Sequence, residues 1–115
     1  MREQIKDKGR LEHILKSIER IEHFVEGVDF NDFKKDELRY FAIVKNVEII
    51  GEASYMLSLP FKEKNSDTPW KDIIAMRHVL VHGYYQISPL QVWKVVKEDL
   101  PTLKKQIQQY YNNIN

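Results

Sequence analysis

The chain has 115 residues, of which 43% are hydrophobic and 30% are charged; this suits one folded domain with one core and excludes a disordered chain. Its 18 basic and 17 acidic side chains give a net charge of +1, which excludes a general electrostatic attraction to nucleic acid or to an acidic membrane. The lack of cysteine excludes disulfides, zinc ribbons and thiol catalysis.

The N-terminal segment, MREQIKDKGRLEH, is charged and has no apolar stretch, so it predicts no secretory signal. No segment approaches the roughly 20 apolar residues that cross a bilayer, and we expect a cytoplasmic protein with one domain over residues 1–115 and no membrane contact. A first helix is predicted over residues 8–26, because apolar side chains recur there at helical spacing. These side chains are Leu11, Ile14, Ile18, Ile21 and Val25. Gly27 is the expected end of this helix.

A second helix is predicted after a loop over residues 27–33, with Asn31 or Asp32 as its N-cap, and it should run to about Leu57. Its apolar side chains cover more than one stripe, which predicts burial on two sides. They are Leu38, Phe41, Ile43, Val44, Val47, Ile50 and Met56. Gly51 lies inside this helix, where glycine costs ~1 kcal/mol relative to alanine, so we expect a neighbouring helix to approach closely there.

The C-terminal half of the sequence predicts two further helical segments after a polar loop over residues 59–68. Thr68 and Pro69 indicate the start of a third helix over residues 69–82, which Gly83 ends. Ser88 and Pro89 repeat this start signal, and Pro101 should kink the last segment or divide it in two. The apolar seam of that segment is Trp93, Val96, Leu100, Leu103, Ile107 and Tyr110. With no useful strand-period alternation, the predicted fold class is all-α, an up-and-down bundle of four or five helices.

The candidate chemistry lies in the third helix, in the stretch WKDIIAMRHVLVHGYY. At ~100° per residue, Arg77 falls in the middle of the apolar arc, where an arginine is costly without a partner. His82 lies ~140° around the helix from Arg77, so the two side chains cannot meet on one ideal helix. Either the helix ends before His82, or a two-fold dimer brings this helix against its own copy; we favour the dimer.

A purely structural interpretation of the same residues remains open at this point. A histidine in the last helical turn, followed by glycine, is an ordinary helix end that the helix dipole favours. Arg77 can serve as a structural bridge to Glu48 or Glu52 on the neighbouring helix. Spacing alone favours this interpretation, because short motifs are weak signals of function.

A family resemblance reverses that preference. The run MRHVLVHGYY resembles the R-x-x-x-x-H-x-Y signature of HepT-like proteins in the HEPN superfamily, with Arg77, His82 and Tyr84 at its fixed positions. His78 fills the polar position that often follows the arginine. Three helices are also similar to those of the family: LEHILKSIERIEHFVEG to the first, KNVEIIGEASYML to the second and VWKVVKEDLPTLKKQI to the last. One departure is Gly83, where many relatives have Asp.

The resemblance implies a metal-independent endoribonuclease toxin that acts as a homodimer on tRNA or mRNA and needs no cofactor or metal ligand. Arg77 and His82 would be the catalytic pair. An imidazole titrates near pH ~6.5 and can exchange protons with a ribose 2′-OH and a leaving oxygen. A guanidinium offers forked donors to a phosphate whose charge grows in the transition state. His78, Asn46 and Glu52, which stand at polar positions of the family pattern, would support this pair.

The resemblance also implies a regulator. In HepT–MntA type II toxin–antitoxin systems the motif tyrosine is adenylylated by a nucleotidyltransferase antitoxin, and Tyr84 stands at that position. Bulky negative groups beside Arg77 would block and neutralise an RNA site. Two other functions remain open: a non-catalytic subunit that presents Tyr84 or a bound nucleotide to a nucleotidyltransferase, and a structural helical dimer.

Overall fold

Four long helices form an all-α bundle in the computed structural model, which describes the backbone of residues 2–114 and the side chains of residues 6–83 and 85–114. The long helices are α1 (Arg2–Val25), α3 (Glu37–Met56), α5 (Trp70–His82) and α7 (Leu100–Asn113). The short helices are α2 (Phe30–Lys35), α4 (Leu59–Lys64) and α6 (Pro89–Lys94). Residues 2–114 contain no strand, so the predicted fold class is confirmed.

The buried face of α1 forms the centre of the core. The five apolar residues that predicted this helix are all buried, and α3 and α7 pack against it. Gly27 follows with φ +70°, the left-handed conformation that ends a helix and that glycine adopts without strain. Since most helical stability comes from packing of an apolar face, this stripe stabilises α1 from Leu11 to Val25.

The segment between α1 and α3 differs from the prediction of a loop and one cap. Asp29 caps α2 by accepting a hydrogen bond from the Asp32 backbone N–H at 2.8 Å. Asp36 then caps α3 by accepting from the Arg39 N–H at 3.0 Å. The prediction of Asn31 or Asp32 as N-cap was therefore wrong, because burial of Phe33 makes a separate short helix of residues 30–35.

Two sides of α3 are buried, against α1 and against α5, as the sequence predicts. Three apolar residues assigned to those sides are nevertheless exposed: Leu38 at 83%, Phe41 at 57% and Met56 at 46% of their surface. They lie on a third side of α3 that no described helix covers. The predicted burial was wrong for these three residues, because periodicity shows which residues share a side of a helix but not whether a neighbour covers it.

The α3–α5 contact is centred on Gly51. A Cβ atom added there would overlap the Cβ of Arg77 and lie 3.2 Å from the Ile73 carbonyl oxygen. The predicted close approach is therefore confirmed. Trp70, the first residue of α5, packs on Phe61, just beyond the end of α3, with ring centroids 6.1 Å apart. With its start at the end of α3 and its middle at Gly51, α5 runs antiparallel to α3.

The connection from α3 to α5 is helical in part, where a polar loop was predicted. Ser58 caps α4, and its side chain and backbone N–H both bond to the buried carboxylate of Asp7 at 2.7 and 2.8 Å. Thr68 does not cap α5; its buried hydroxyl instead lies 3.0 Å from Gln106 Oε1 and 2.6 Å from the Tyr110 hydroxyl. That prediction was wrong because Thr68 is drawn into the contact with α7.

The last segment begins and breaks where the sequence predicts. Ser88 and Gln91 form a capping box at the start of α6. A π-helical turn, Val95–Asp99, separates α6 from α7, and Pro101 lies in the first turn of α7. Proline lacks the N–H that an interior helical position uses and crowds the carbonyl four residues earlier, so the break precedes it. None of the helices over residues 2–114 is both long and apolar enough to span a membrane.

Candidate active site

Arg77 is paired with Glu52 across the α3–α5 contact. Its Nε atom donates to Glu52 Oε2 at 2.8 Å, and the side chains are 35% and 51% exposed. Of the two acidic partners that the sequence left open, the structure selects Glu52. At this exposure the pair stabilises the fold by about 1 kcal/mol or less, so its main effect is to fix where the guanidinium points.

The guanidinium of Arg77 emerges on one side of the helix pair. The Cβ atom of Arg77 faces Gly51 in the contact, whereas Glu52, one residue farther along α3, points ~100° away from it. No hydrogen bond or ion pair joins the two Nη groups to another described residue. These groups therefore remain available as forked donors for an anion such as a phosphate.

His82 and His78 lie together on α5. Their rings have centroids 4.8 Å apart at an angle of 50°, and both side chains are exposed. Helix α5 continues through His82, and the Gly83 N–H then bonds to the Val79 carbonyl at 2.7 Å. The suggestion that the helix ends before His82 was therefore wrong, and ~140° still separates His82 from Arg77 around one helix.

The histidines lie on the same side of the helix pair as the Arg77–Glu52 ion pair. Each helix turns by ~100° per residue. Because the two helices are antiparallel, the residue that follows the contact residue of each helix lies on the same side of the pair. Glu52 follows Gly51 on α3, and His78 follows Arg77 on α5. We call this surface the outer face. Its members are Leu38, Phe41, Lys45, Glu48, Glu52, Tyr55 and Met56 on α3 and Arg77, His78, Val81 and His82 on α5.

The opposite side of the α3–α5 pair carries a cavity of about 410 Å³. Its walls include Ile50 and Ile73, and its rim carries carboxylates from α5, from the segment before it and from the π-helical turn. These carboxylates are Asp67, Asp72, Glu98 and Asp99. Burial, and secondarily the charge of Glu98, raise the pKa of Asp99. An acidic rim repels an anion such as a phosphate.

Comparison with known families shows the class of protein to which this chain belongs. The profile of the family described as "Ribonuclease HepT-like" matches residues 14–110, which include both helices of the outer face. The chain belongs to the HepT-like ribonuclease family. It is accordingly a ribonuclease of the HEPN type.

Named relatives of this HepT-like ribonuclease match it over most of their length. "Putative RNase MJ1380" of Methanocaldococcus jannaschii is 37% identical over 101 residues, which cover 88% of this chain and 93% of the relative. "Putative RNase TTE0752" of Caldanaerobacter subterraneus subsp. tengcongensis is 40% identical, over 86% of this chain and 88% of the relative. "Probable ribonuclease HepT" of Thermococcus cleftensis is 41% identical, over 84% and 88%. No solved structure matches significantly.

The remaining signature and supporting positions lie in different surroundings. Tyr84 opens a 3₁₀ turn, Tyr84–Gln86, directly after α5, but its side chain lies outside the described residues. Asn46 is buried on α3, where its Nδ2 donates to the Ala42 carbonyl at 2.8 Å. It points ~120° away from the centre of the outer face, so the structure does not bring it to Arg77.

Sequence reasoning missed the apolar part of the outer face. Five of the eight large hydrophobic residues that are exposed in the described chain lie on it. They are Leu38, Phe41, Tyr55, Met56 and Val81. A third apolar stripe on α3 was the available signal, but it was assigned to the core. Among the described residues, no three His, Cys, Asp or Glu side chains are arranged to hold a metal ion.

Proposed function

We propose that this ribonuclease is a metal-independent endoribonuclease that cleaves RNA with Arg77 and His82 as its catalytic residues. The observation that carries the proposal is the arrangement of Arg77. Its Nε is held by Glu52 at 2.8 Å while its Nη groups face the side on which His82 is exposed. Phosphodiester cleavage by proton transfer requires a cation for the phosphate and an imidazole that can exchange protons, and the outer face carries both.

The proposed reaction uses the ribose 2′-OH as its nucleophile. One His82 imidazole accepts the 2′-OH proton while O2′ bonds to phosphorus, and the phosphorus–O5′ bond breaks. Water protonates the leaving O5′ and then regains a proton from the His82 imidazolium, so the products are a 2′,3′-cyclic phosphate and a 5′-OH end. Arg77 donates to the phosphate oxygens, whose negative charge grows as the fifth bond forms.

A homodimer supplies the composite site in this proposal. Arg77 and His82 lie five residues and ~140° apart on one unbroken helix, so one chain does not turn both toward the same phosphate. A two-fold axis beside α5 would combine Arg77 of one chain with His82 of the other and would place two such sites in one cleft. His78 and Glu52 would orient His82 and Arg77, and Asn46 would support α3 from within the bundle.

Control of the activity is the next part of the proposal. The chain would be the toxin of a cytoplasmic type II toxin–antitoxin system, and an MntA-like nucleotidyltransferase antitoxin would adenylylate Tyr84. The support is the position of Tyr84 in the HepT-like signature, two residues after His82. Mass spectrometry after co-expression with an MntA-like nucleotidyltransferase should show one added AMP, and Tyr84→Phe should show none. An unmodified wild-type chain would rule out this control.

The direct test of the activity is incubation of the purified protein with tRNA and with mRNA in EDTA. We expect cleavage with 2′,3′-cyclic phosphate ends, and a rate ~10²-fold or more lower for Arg77→Ala and for His82→Ala. His23→Ala is the matched control, because His23 is an exposed helical histidine that lies on α1 rather than on the outer face. Full activity of His82→Ala would contradict the assignment. If the unmodified protein leaves RNA intact and Tyr84 is nevertheless adenylylated on co-expression, the chain would instead be a binding subunit.

A further inference from the structure

The cavity of about 410 Å³ on the side opposite the outer face has largely apolar walls, and we call it the α5–α7 cavity. Small-molecule sites in proteins are typically apolar clefts of ~300–1,000 Å³ with a few polar groups, so its size and lining suit a ligand. Neither Arg77 nor His82 lines it, and the proposed cleavage of RNA does not use it. The apolar walls include Ile50 on α3, Ile73 and Met76 on α5, and Val95, Leu100 and Leu103 on the last segment.

The acidic side chains at the rim of the α5–α7 cavity have no cation beside them. None of Asp67, Asp72, Glu98 and Asp99 forms an ion pair with another described residue. No basic residue is among the described residues that line the cavity. Lys97, which adjoins Glu98, lies instead over the Trp93 ring, with its Nζ 4.8 Å from the ring centroid. An apolar cavity with a negative rim is complementary to a cation that also carries apolar groups.

The rim carboxylates are spread along the cavity rather than gathered at one point. Asp67 lies beside α7, because its backbone carbonyl accepts from Gln106 Nε2 at 3.5 Å. Glu98 and Asp99 precede Gln106 by about two helical turns, which is ~10 Å along the segment. A metal ion holds its ligands within ~2–3 Å, so carboxylates this far apart do not share one ion. Their spacing matches a cation whose charges are spread along its length.

We propose that the α5–α7 cavity binds a linear aliphatic polyamine of about the length of spermidine. The methylene groups of such a molecule pack on the apolar walls, and its ammonium groups bind the rim carboxylates. The outer nitrogens of extended spermidine are ~11 Å apart, which spans the distance from Asp67 to Glu98 and Asp99. Asp72, in the first turn of α5, adds a further carboxylate to the rim.

The π-helical turn contributes both a binding wall and two adjacent like charges. Val95, Glu98 and Asp99 of this turn all line the cavity. Isolated π-helical turns are rare and frequently occur at functional sites, and the proposed RNA cleavage gives this one no role. Burial, and secondarily the charge of Glu98, raise the pKa of Asp99, and an ammonium group bound there would offset the repulsion between the two carboxylates. The bound polyamine would therefore link the start of α5 to the π-helical turn.

Isothermal titration calorimetry of the purified protein with spermidine, without RNA and at about 0.15 M salt, tests the site. We expect saturable binding of one spermidine per chain. The double variant D72N/D99N should raise the dissociation constant about tenfold or more, because it removes carboxylates from both ends of the cavity. E19Q/D32N removes two exposed carboxylates elsewhere and is the matched control, with an expected change below about twofold. The shorter 1,4-diaminobutane reaches only one end and should bind about tenfold more weakly.

Methyl NMR of protein labelled at methionine locates the bound polyamine. Spermidine should shift the signal of Met76, which lines the cavity, and leave that of Met56, on the outer face, in place. Met76→Leu assigns the signal by removing it.

The outcomes that would overturn the polyamine site are distinct. They are a lack of saturable binding, unchanged binding by D72N/D99N, and an equal Met76 shift on titration with magnesium chloride, which would show attraction of any cation. Tighter binding of a lysine-rich peptide would also overturn it, because the cavity would then suit a protein segment. No RNA is present in these assays, so their result is independent of the proposed ribonuclease function.

Discussion

Apolar side chains lie on two faces of α3: the outer face, and the buried face that includes Ile43 and Ile50, which we call the inner face. The inner face packs into the core, whereas no described helix covers the outer face. On the inner face Ile43 and Ile50 are fully or almost fully buried, and the Ser54 hydroxyl donates to the Ile50 carbonyl at 2.7 Å. On the outer face Phe41 and Tyr55 are more than half exposed. An apolar stripe therefore shows that a helix face needs a partner without showing whether that partner belongs to the same chain. In this protein we expect the inner face to determine stability and the outer face to determine assembly and catalysis.

Truncation of a core residue should have the largest effect on folding. Ile43→Ala removes a fully buried side chain on the inner face and should lower the free energy of unfolding by ~2–5 kcal/mol, measured by urea denaturation. Phe41→Ala is the matched change on the outer face; it should alter the unfolding free energy of the monomer by less than ~1 kcal/mol and should weaken the dimer instead. Equal losses for the two variants would contradict the division between the faces.

Gly51 tests the contact that joins the two helices of the outer face. Gly51→Ala adds a Cβ that overlaps the Cβ of Arg77, so α3 and α5 must separate. We expect a loss of ~1–3 kcal/mol in unfolding free energy, together with lower RNA cleavage because Arg77 moves. Gly9→Ala is the control: no atom lies within 4 Å of the new Cβ in α1, and a helical alanine should stabilise by up to ~1 kcal/mol. A neutral Gly51→Ala would show that the close approach is not needed.

Substitution of Glu52 should lower the RNA cleavage rate with little change in the stability of the fold. Glu52→Gln removes the charge of a half-exposed ion pair, so thermal denaturation should register a loss of at most ~1 kcal/mol. The RNA cleavage rate should nevertheless fall about tenfold, because Arg77 loses the group that directs it toward the phosphate. A change in kcat with little change in KM would distinguish positioning in the transition state from loss of RNA binding. Unchanged cleavage would remove Glu52 from the site.

The sequence predicted most of the fold because its core residues recur at helical spacing. Its clearest helix ends are also set by residues at the ends themselves. Gly27 ends α1 through a left-handed conformation, and Ser88 starts α6 through a capping box. Thr68 shows where prediction from local sequence fails. It stands where a helix cap is expected, but its hydroxyl bonds to that of Tyr110, which lies 42 residues away in the sequence. Long-range contacts of this kind are absent from local patterns, so they displace local predictions.

The candidate site was predictable in its residues but not in its arrangement. Helical spacing placed Arg77 in the apolar arc of its helix. It left Glu48 and Glu52 as two possible acidic partners of Arg77. The choice of Glu52 depends on how closely the two helices pack at Gly51. The exposure of Phe41 was not predictable either, since it depends on a neighbour that this chain does not supply.

Subunit mixing tests most directly whether two chains share one catalytic site. Arg77→Ala and His82→Ala chains, each inactive alone, are mixed and allowed to exchange, with native mass spectrometry showing that mixed dimers form. One of the two sites in each mixed dimer then keeps both residues, so about a quarter of the wild-type cleavage rate should return. If wild-type protein cleaves RNA while mixed dimers stay inactive, Arg77 and His82 act within one chain and the shared site is contradicted.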